Sequence, residues 1–369
     1  MARVAKGGAH RRKAWLTVAG FAKRTGPHPM TAPMSASPAP IATVRHDTAL
    51  GILCLCAGIG LFSVQDMILK LLSDSYPLSE AMVLRGLTAA PLLMLLALRD
   101  GGLRTLLTPG VWAMIWRGVV MFLAYATYYL ALPALPMATT VALYFSAPLF
   151  ITVLSVFMLA EKVGWRRWLA VLAGFFGVVV MVRPGASLFE WAALLPVLSG
   201  LAYGLSMILA RKLGQNETAA AMAFWGNMVF LVFALGMAAA FGNGAFATGS
   251  HPSVAFLLRG WVWPTPTDAV LMCGCGVIAA LGLTLLTQAY RIADSNAVAP
   301  FEYSFMIWGV FWGWAFFGEW PDSIAWAGIA IIVLSGLMVL WREKVNDLPP
   351  AFEQPTALPE DVPEIAPRG

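Results

Sequence analysis

Ten apolar stretches, each close to the length that crosses a bilayer, follow one another between Leu50 and Leu340, and nearly all the charge lies in the segments around them. Hydrocarbon about 30 Å thick takes about 20 helical residues to cross, and inside it a chain must satisfy its own backbone hydrogen bonds. The stretches cover residues 49–72, 78–98, 115–132, 137–159, 165–182, 189–210, 219–241, 269–290, 296–317 and 324–341. At 59% hydrophobic and 12% charged, the 369-residue chain has too few polar residues to cover such a core in water. The sequence specifies an all-α polytopic membrane protein with ten transmembrane helices.

The net charge of +5 does not point to nucleic acid, because the basic residues flank apolar spans as the positive-inside rule expects. Residues 1–47 are basic and carry Pro27, Pro29, Pro33, Pro38 and Pro40, and residues 344–369 are Pro- and acid-rich; both read as disordered tails. Arg11-Arg12-Lys13 ahead of residues 14–22 imitates a signal peptide, but its apolar run is short. A start at Met30 or Met34 rather than Met1 is an alternative reading of the same tail. Arg99, Arg104, Arg117, Lys162, Arg166, Arg167, Arg211, Lys212, Arg291, Arg342 and Lys344 fall on the side of the basic tail. Asp74, Glu80, Arg183, Glu190, Glu319 and Asp322 fall on the other. Both termini are therefore expected in the cytoplasm, as for a protein of a bacterial inner membrane. The pairs Cys54/Cys56 and Cys273/Cys275 lie inside spans and point about 200° apart on a helix, which suits packing rather than a metal or a disulfide framework.

An internal repeat gives the architecture. Asp66 to Gly86 aligns without a gap on Ser206 to Gly226, with Met67-Ile68-Leu69 over Met207-Ile208-Leu209. A second register sets Ser146 over Ser304, Glu161 over Glu319 and Trp168 over Trp326. The inserted residues fall in the Gly/Pro/Trp-rich loop 242–267. Each half, 48–185 and 186–343, then holds five spans. An odd number places the halves in opposite orientations, the inverted repeat of secondary transporters, with the substrate site near the midplane.

The stretch from Phe62 to Gly86, with Asp66, Lys70, Tyr76-Pro77, Glu80 and Arg85, resembles the opening of a drug/metabolite transporter superfamily member. Ser146-Ala147-Pro148-Leu149 followed by Glu161-Lys162, and the glycine-rich run from Gly174 to Val180, resemble it too, and each half is similar to an EamA module. The second copy departs from the pattern: Trp225 stands where Arg85 stands, and Phe305-Met306 replace Ala147-Pro148. The resemblance implies ten helices and transport of a small metabolite without ATP.

Ionisable groups within spans are costly and are functional candidates by default. Asp66 and Arg85 are equidistant from the turn near Ser75-Tyr76, so an antiparallel hairpin brings them to one depth, with Lys70 one turn from Asp66. One reading is a salt bridge locking the hairpin; the other makes Arg85 or Lys70 the anchor for an anionic substrate group, with Asp66 the releasable partner. Glu302 lies beside Pro300 in the ninth span and aligns with Tyr144. It is a candidate to bind a proton or a cationic substrate, or to hydrogen-bond a neighbouring helix. His10, His28, His46 and His251 all lie in tails or loops, so a proton relay must rest on carboxylates.

The run Phe301, Tyr303, Phe305, Trp308, Phe311, Trp312, Trp314 can line a cavity for a flat ligand, or face lipid and neighbouring helices. Gln65, Asn227 and Gln288 are neutral polar candidates. Gly309-x-x-x-Gly313 and Gly200-x-x-x-Gly204 permit close helix contact. HExxH, GxSxG and Walker A patterns are absent, which argues against an intramembrane enzyme and against direct use of ATP; no cofactor is called for. The expected function is secondary transport of a small metabolite, an amino acid or related amphiphile, by proton-linked export with alternating access. The alternative is uptake of a vitamin or nucleoside-like compound such as riboflavin or S-adenosylmethionine. The expected partners are the metabolite, a proton and the lipid bilayer; the sequence fixes no oligomeric state.

Overall fold

The computed structural model describes residues 48–345 except 100–101, 162, 185–189, 214–216, 248–250 and 294. The tails, and the side chains of Lys162, Arg291, Arg342 and Lys344 used to orient the chain, lie outside the described residues. Among the described residues nine helices are long and apolar enough to cross a membrane: Thr48–Leu72, Leu78–Arg99, Val111–Ala131, Met137–Leu159, Trp165–Val182, Trp191–Leu213, Ala219–Phe241, Pro266–Tyr290 and Ser323–Trp341. The remaining span, ninth in chain order, is broken into Ser295–Val298, the 3-10 segment Ala299–Tyr303, and Ser304–Phe317. Ten spans are thus present among the described residues, the ninth in three pieces. Side-chain caps set several starts: Thr218 accepts from the Ala221 amide, Thr265 from that of Asp268, and Glu190 from that of Ala192.

The fourth span is interrupted as well, between Met137–Tyr144 and Ala147–Leu159. The two interruptions occupy corresponding places, since Ser146 aligns with Ser304. Correspondence continues to the far ends of these spans. Ala160 and Gly318 both adopt the left-handed conformation, φ 55° and 65°. The amide of Glu161 bonds the Ser155 carbonyl at 3.3 Å, and that of Glu319 bonds the Gly313 carbonyl at 2.9 Å. Gly318 takes this conformation freely, whereas Ala160 carries a Cβ that opposes it.

Packing follows the same two-fold rule. The first span packs on the eighth as the sixth packs on the third, and the second on the eighth as the seventh on the third. The first meets the ninth as the sixth meets the fourth, while the second–seventh, fourth–ninth and fifth–tenth pairs map onto themselves. Small residues set the tightest crossings. A Cβ on Gly200 would come within 2.7 Å of the Ser146 hydroxyl, so the sixth span lies directly against the break in the fourth. Gly309 likewise admits Val141, bringing the two broken spans together. Trp112, Phe157, Leu172, Phe176, Val232, Ile307 and Leu334 stay exposed on the outside of the bundle, where lipid replaces water as solvent. Two short elements not expected from the sequence, Leu103–Leu106 and Pro252–Leu258, sit on connections at opposite faces.

Candidate substrate-binding cavity

A cavity of about 270 Å³ lies between the two halves and is walled by residues of both. On the first span the lining ends at Asp66, on the second it starts at Arg85, and on the third it ends at Tyr129. In the other direction it reaches Leu93, Thr287 and Ala219, the last being the first residue of the seventh helix. The cavity therefore runs toward the face that carries Arg99 and Arg211 and stops short of the face that carries Tyr76.

Bonds across the Tyr76 face explain the closure. Lys70 donates to Glu319 Oε1 at 2.5 Å and to the Leu135 carbonyl at 2.7 Å, while Glu319 Oε2 accepts from the Met137 amide at 2.9 Å. One carboxylate thus ties the first, fourth and ninth spans together. The 242–267 connection adds a second layer: Arg259 donates to the Ser73 and Tyr76 carbonyls at 2.7 and 3.2 Å, and Tyr76 donates to Asp268 at 2.6 Å. Arg183 bonds Asp322 at 2.6 Å, and His251 meets Glu190 at 2.9 Å. Outside the spans, the Arg183 bond holds the Asp322 carboxyl below its ordinary range. Burial raises that of Glu190, but the Ala192 amide and His251 outweigh it and leave it lowered. At the opposite face the counterpart of the Lys70–Glu319 pair is Arg211–Glu161, at 3.5 Å.

The deep end of the cavity is polar and aromatic. Gln65 donates to the Tyr129 hydroxyl at 2.9 Å and accepts from Arg85 Nε at 3.1 Å. The Arg85 guanidinium lies over the Tyr125 and Phe230 rings, 5.2 and 4.6 Å from their centroids. Asp66 accepts from the Tyr128 hydroxyl at 2.8 Å. Tyr144, at the break in the fourth span, packs edge-on against Tyr128 at 5.3 Å and Tyr203 at 5.6 Å. Toward the mouth, Arg117 donates to the Ser206 carbonyl at 3.4 Å. Glu302, in the 3-10 break of the ninth span, accepts from Tyr290 and lines the cavity.

The expected candidates divide. Asp66, Arg85, Gln65, Tyr144, Glu302 and Asn227 line the cavity, Asn227 donating to the Gly86 carbonyl at 3.0 Å. Lys70 does not; it bonds Glu319 and the Leu135 carbonyl at the closed face. Asp66 and Arg85 are neighbours in depth, yet they do not pair directly, because Tyr128 takes the one and Gln65 the other. Of the aromatic run only Phe305 reaches the cavity. Trp308 and Trp312 stack on each other, with Trp312 donating to Ser63 at 3.0 Å and Trp308 beside Gly60, and so fasten the ninth span to the first. Tyr303 stacks on Phe145 at 4.8 Å, and Gln288 is exposed. Trp225, in the register of Arg85, donates to the Leu106 carbonyl away from the cavity.

Sequence reasoning missed Arg117, read only as an orienting charge at the start of the third span, and the tyrosines Tyr125, Tyr128, Tyr129 and Tyr203. The i, i+3, i+4 spacing of the first three was a legible signal for one polar-aromatic face.

Comparison with known proteins agrees with this geometry. The EamA-like transporter family matches residues 49–183 and again 190–341. A riboflavin transporter of Rhizobium johnstonii is 31% identical over 250 residues, 68% of this chain and 77% of that protein. An S-adenosylmethionine uptake transporter of Rickettsia bellii is 28% identical over 243 residues, 66% of this chain and 77% of that protein. A protein of known crystal structure shares the fold with a TM-score of 0.54 at 16% identity, covering 80% of this chain and 98% of that one. With two matched modules enclosing one cavity, the chain belongs to the EamA-like transporter family and is a multi-pass small-molecule transporter.

Proposed function

We propose that this protein is a proton-linked secondary carrier of a small metabolite with a flat ring system, working by alternating access. The observation that carries this reading is the cavity between the inverted halves, bounded by both broken helices, reaching toward one face and barred at the other by Lys70, Glu319 and Arg259. Rocking the halves would exchange the open and barred faces. With the basic loops in the cytoplasm, the conformation described is the one open inward. Tyrosine and phenylalanine walls suit a ring system, and the cavity volume is near the lower end for small-molecule sites. The names of the riboflavin and S-adenosylmethionine relatives support such a cargo and favour uptake over export of an aliphatic amino acid.

Glu302 is the proton site of this reading. It is the carboxylate at a helix break, inside the cavity and within reach of Tyr290, where an ionised group is costly unless paired. The test is uptake of riboflavin and of S-adenosylmethionine into proteoliposomes with and without an imposed pH gradient. Gradient-driven accumulation of either, reduced to downhill exchange in Glu302→Gln, is the expected result. Accumulation that Glu302→Gln leaves intact would remove Glu302 from coupling. Saturable exchange indifferent to the gradient would remove the proton.

A further inference from the structure

Arg85 is buried to 5% exposure, and no carboxylate lies within ion-pair reach of it among the described residues. Its Nε is held by Gln65, which is itself fixed by Tyr129, so the plane of the guanidinium is set. The two ring contacts, Tyr125 and Phe230, hold it from the sides. Its two Nη groups make no hydrogen bond to a described residue, and Arg85 lines the cavity. A guanidinium carries five N–H donors in a rigid fork that matches an oxyanion. Among the described residues the rest of that fork has no protein acceptor and is left for a ligand.

The nearest carboxylate does not fill the gap. Asp66 feels the charge of Arg85 but hydrogen-bonds Tyr128 and makes no ion pair with it. A second arginine stands on the same route. Arg117 and Tyr125 are both on the third helix and both line the cavity. At 1.5 Å per residue, Arg117 lies about 12 Å nearer the mouth than the ring beneath Arg85. The two cations mark the mouth and the deep end of one passage, with the tyrosines between them.

We propose that the cargo carries a carboxylate or another single oxyanion, bound by the free Nη edge of Arg85, with its ring system on the Tyr125, Tyr144 and Tyr203 walls. Gln65 is a positioning residue that aims the fork, and Arg117 is the first cation the anion meets. This rests on the carrier reading above and narrows its substrate class: neutral flat compounds are weaker ligands than acids built on the same ring.

The experiment compares pairs that differ only in the acid group, measured by ligand-induced thermal shift and equilibrium binding on the full chain in nanodiscs. S-adenosylmethionine is set against its decarboxylated form, and 10-carboxymethylflavin against lumiflavin. In the wild type the acid of at least one pair is expected to bind about 10–100-fold more tightly, as for a charge-assisted bidentate contact. Arg85→Gln should bring that ratio to within about threefold of unity while Arg85→Lys keeps part of it. The wild-type ratio stands as a test even if Arg85→Gln does not fold. Equal binding of acid and neutral partner, or a ratio unchanged in Arg85→Gln, overturns the proposal and leaves the carrier reading in place. If no member of either pair binds or is carried, the ring-bearing cargo is wrong too.

Discussion

Replacing Glu319 by Gln should tip the conformational equilibrium toward opening of the Tyr76 face. The carboxylate lies 2.5 Å from Lys70, with side-chain exposures of 26% and 8%, so the pair is largely shielded from water. Glutamine keeps an acceptor for the Met137 amide but loses the charge, leaving Lys70 with the Leu135 carbonyl. A hydrogen bond to a charged group contributes about 1.5–3 kcal/mol. The contact exists only while this face is shut, so a loss of about 2 kcal/mol changes the ratio of states about 30-fold. Spin labels on cysteines replacing Asp74 and Trp320, both exposed on the Tyr76 face, report the separation of the first and ninth spans. Pulsed dipolar spectroscopy should show the ratio of long-distance to short-distance populations rising about 30-fold in Glu319→Gln. Glu161→Gln, at the pseudo-symmetric position, should act the other way and disfavour closure of the Arg211 face. A distance distribution that Glu319→Gln leaves unchanged would refute the view that this pair holds the face shut.

Further outcomes concern single contacts. Tyr128→Phe removes the donor to a buried Asp66 and should cost about 1–3 kcal/mol; adding Asp66→Asn should recover part of the loss in melting temperature, and equal melting of single and double variants would argue against this pairing. The Asp322 carboxyl sits below its ordinary value because Arg183 bonds it, so its stabilisation is present above that value and fades as pH falls through the lowered one. Asp322→Asn should therefore melt slightly below wild type near pH 7, by under about 1 kcal/mol, and the difference should shrink as pH falls below the ordinary carboxylate range. Ala160→Gly removes a Cβ from a left-handed cap and should stabilise by about 0.5–1 kcal/mol, read as a higher melting temperature in detergent.

Much of the fold was legible because bilayer thickness fixes span length and because the repeat is written twice. Ser146 over Ser304 and Glu161 over Glu319 fixed the register of the two halves, and the structure places a break and a left-handed cap beside each pair. The interruptions themselves were not legible, since a 3-10 turn such as Ala299–Tyr303 keeps the same apolar composition as the helix around it. Charges were placed less well than spans. Lys70 shares a helical face with Asp66, but its partner Glu319 lies 249 residues away, a distance no local spacing encodes. Arg117 sits near the start of an apolar run that begins at Ile115 and so reads as one of the charges flanking the third span; the helix begins four residues earlier, at Val111, and carries the residue deeper. The tryptophans Trp308 and Trp312 were recognisable as one stripe, yet whether a stripe faces cargo or a neighbouring helix depends on Ser63 and Gly60 in the other half.

Ala223 lines the cavity and is partly open, so a single cysteine there, in a chain whose Cys54, Cys56, Cys273 and Cys275 are serine, tests alternating access directly. An impermeant maleimide applied to oriented vesicles should reach it from the Arg211 face only, and from the Tyr76 face only once Glu319→Gln is added. Labelling from both faces at once in the unmodified background would mean an open pore, and would contradict carriage by two inverted halves that open in turn.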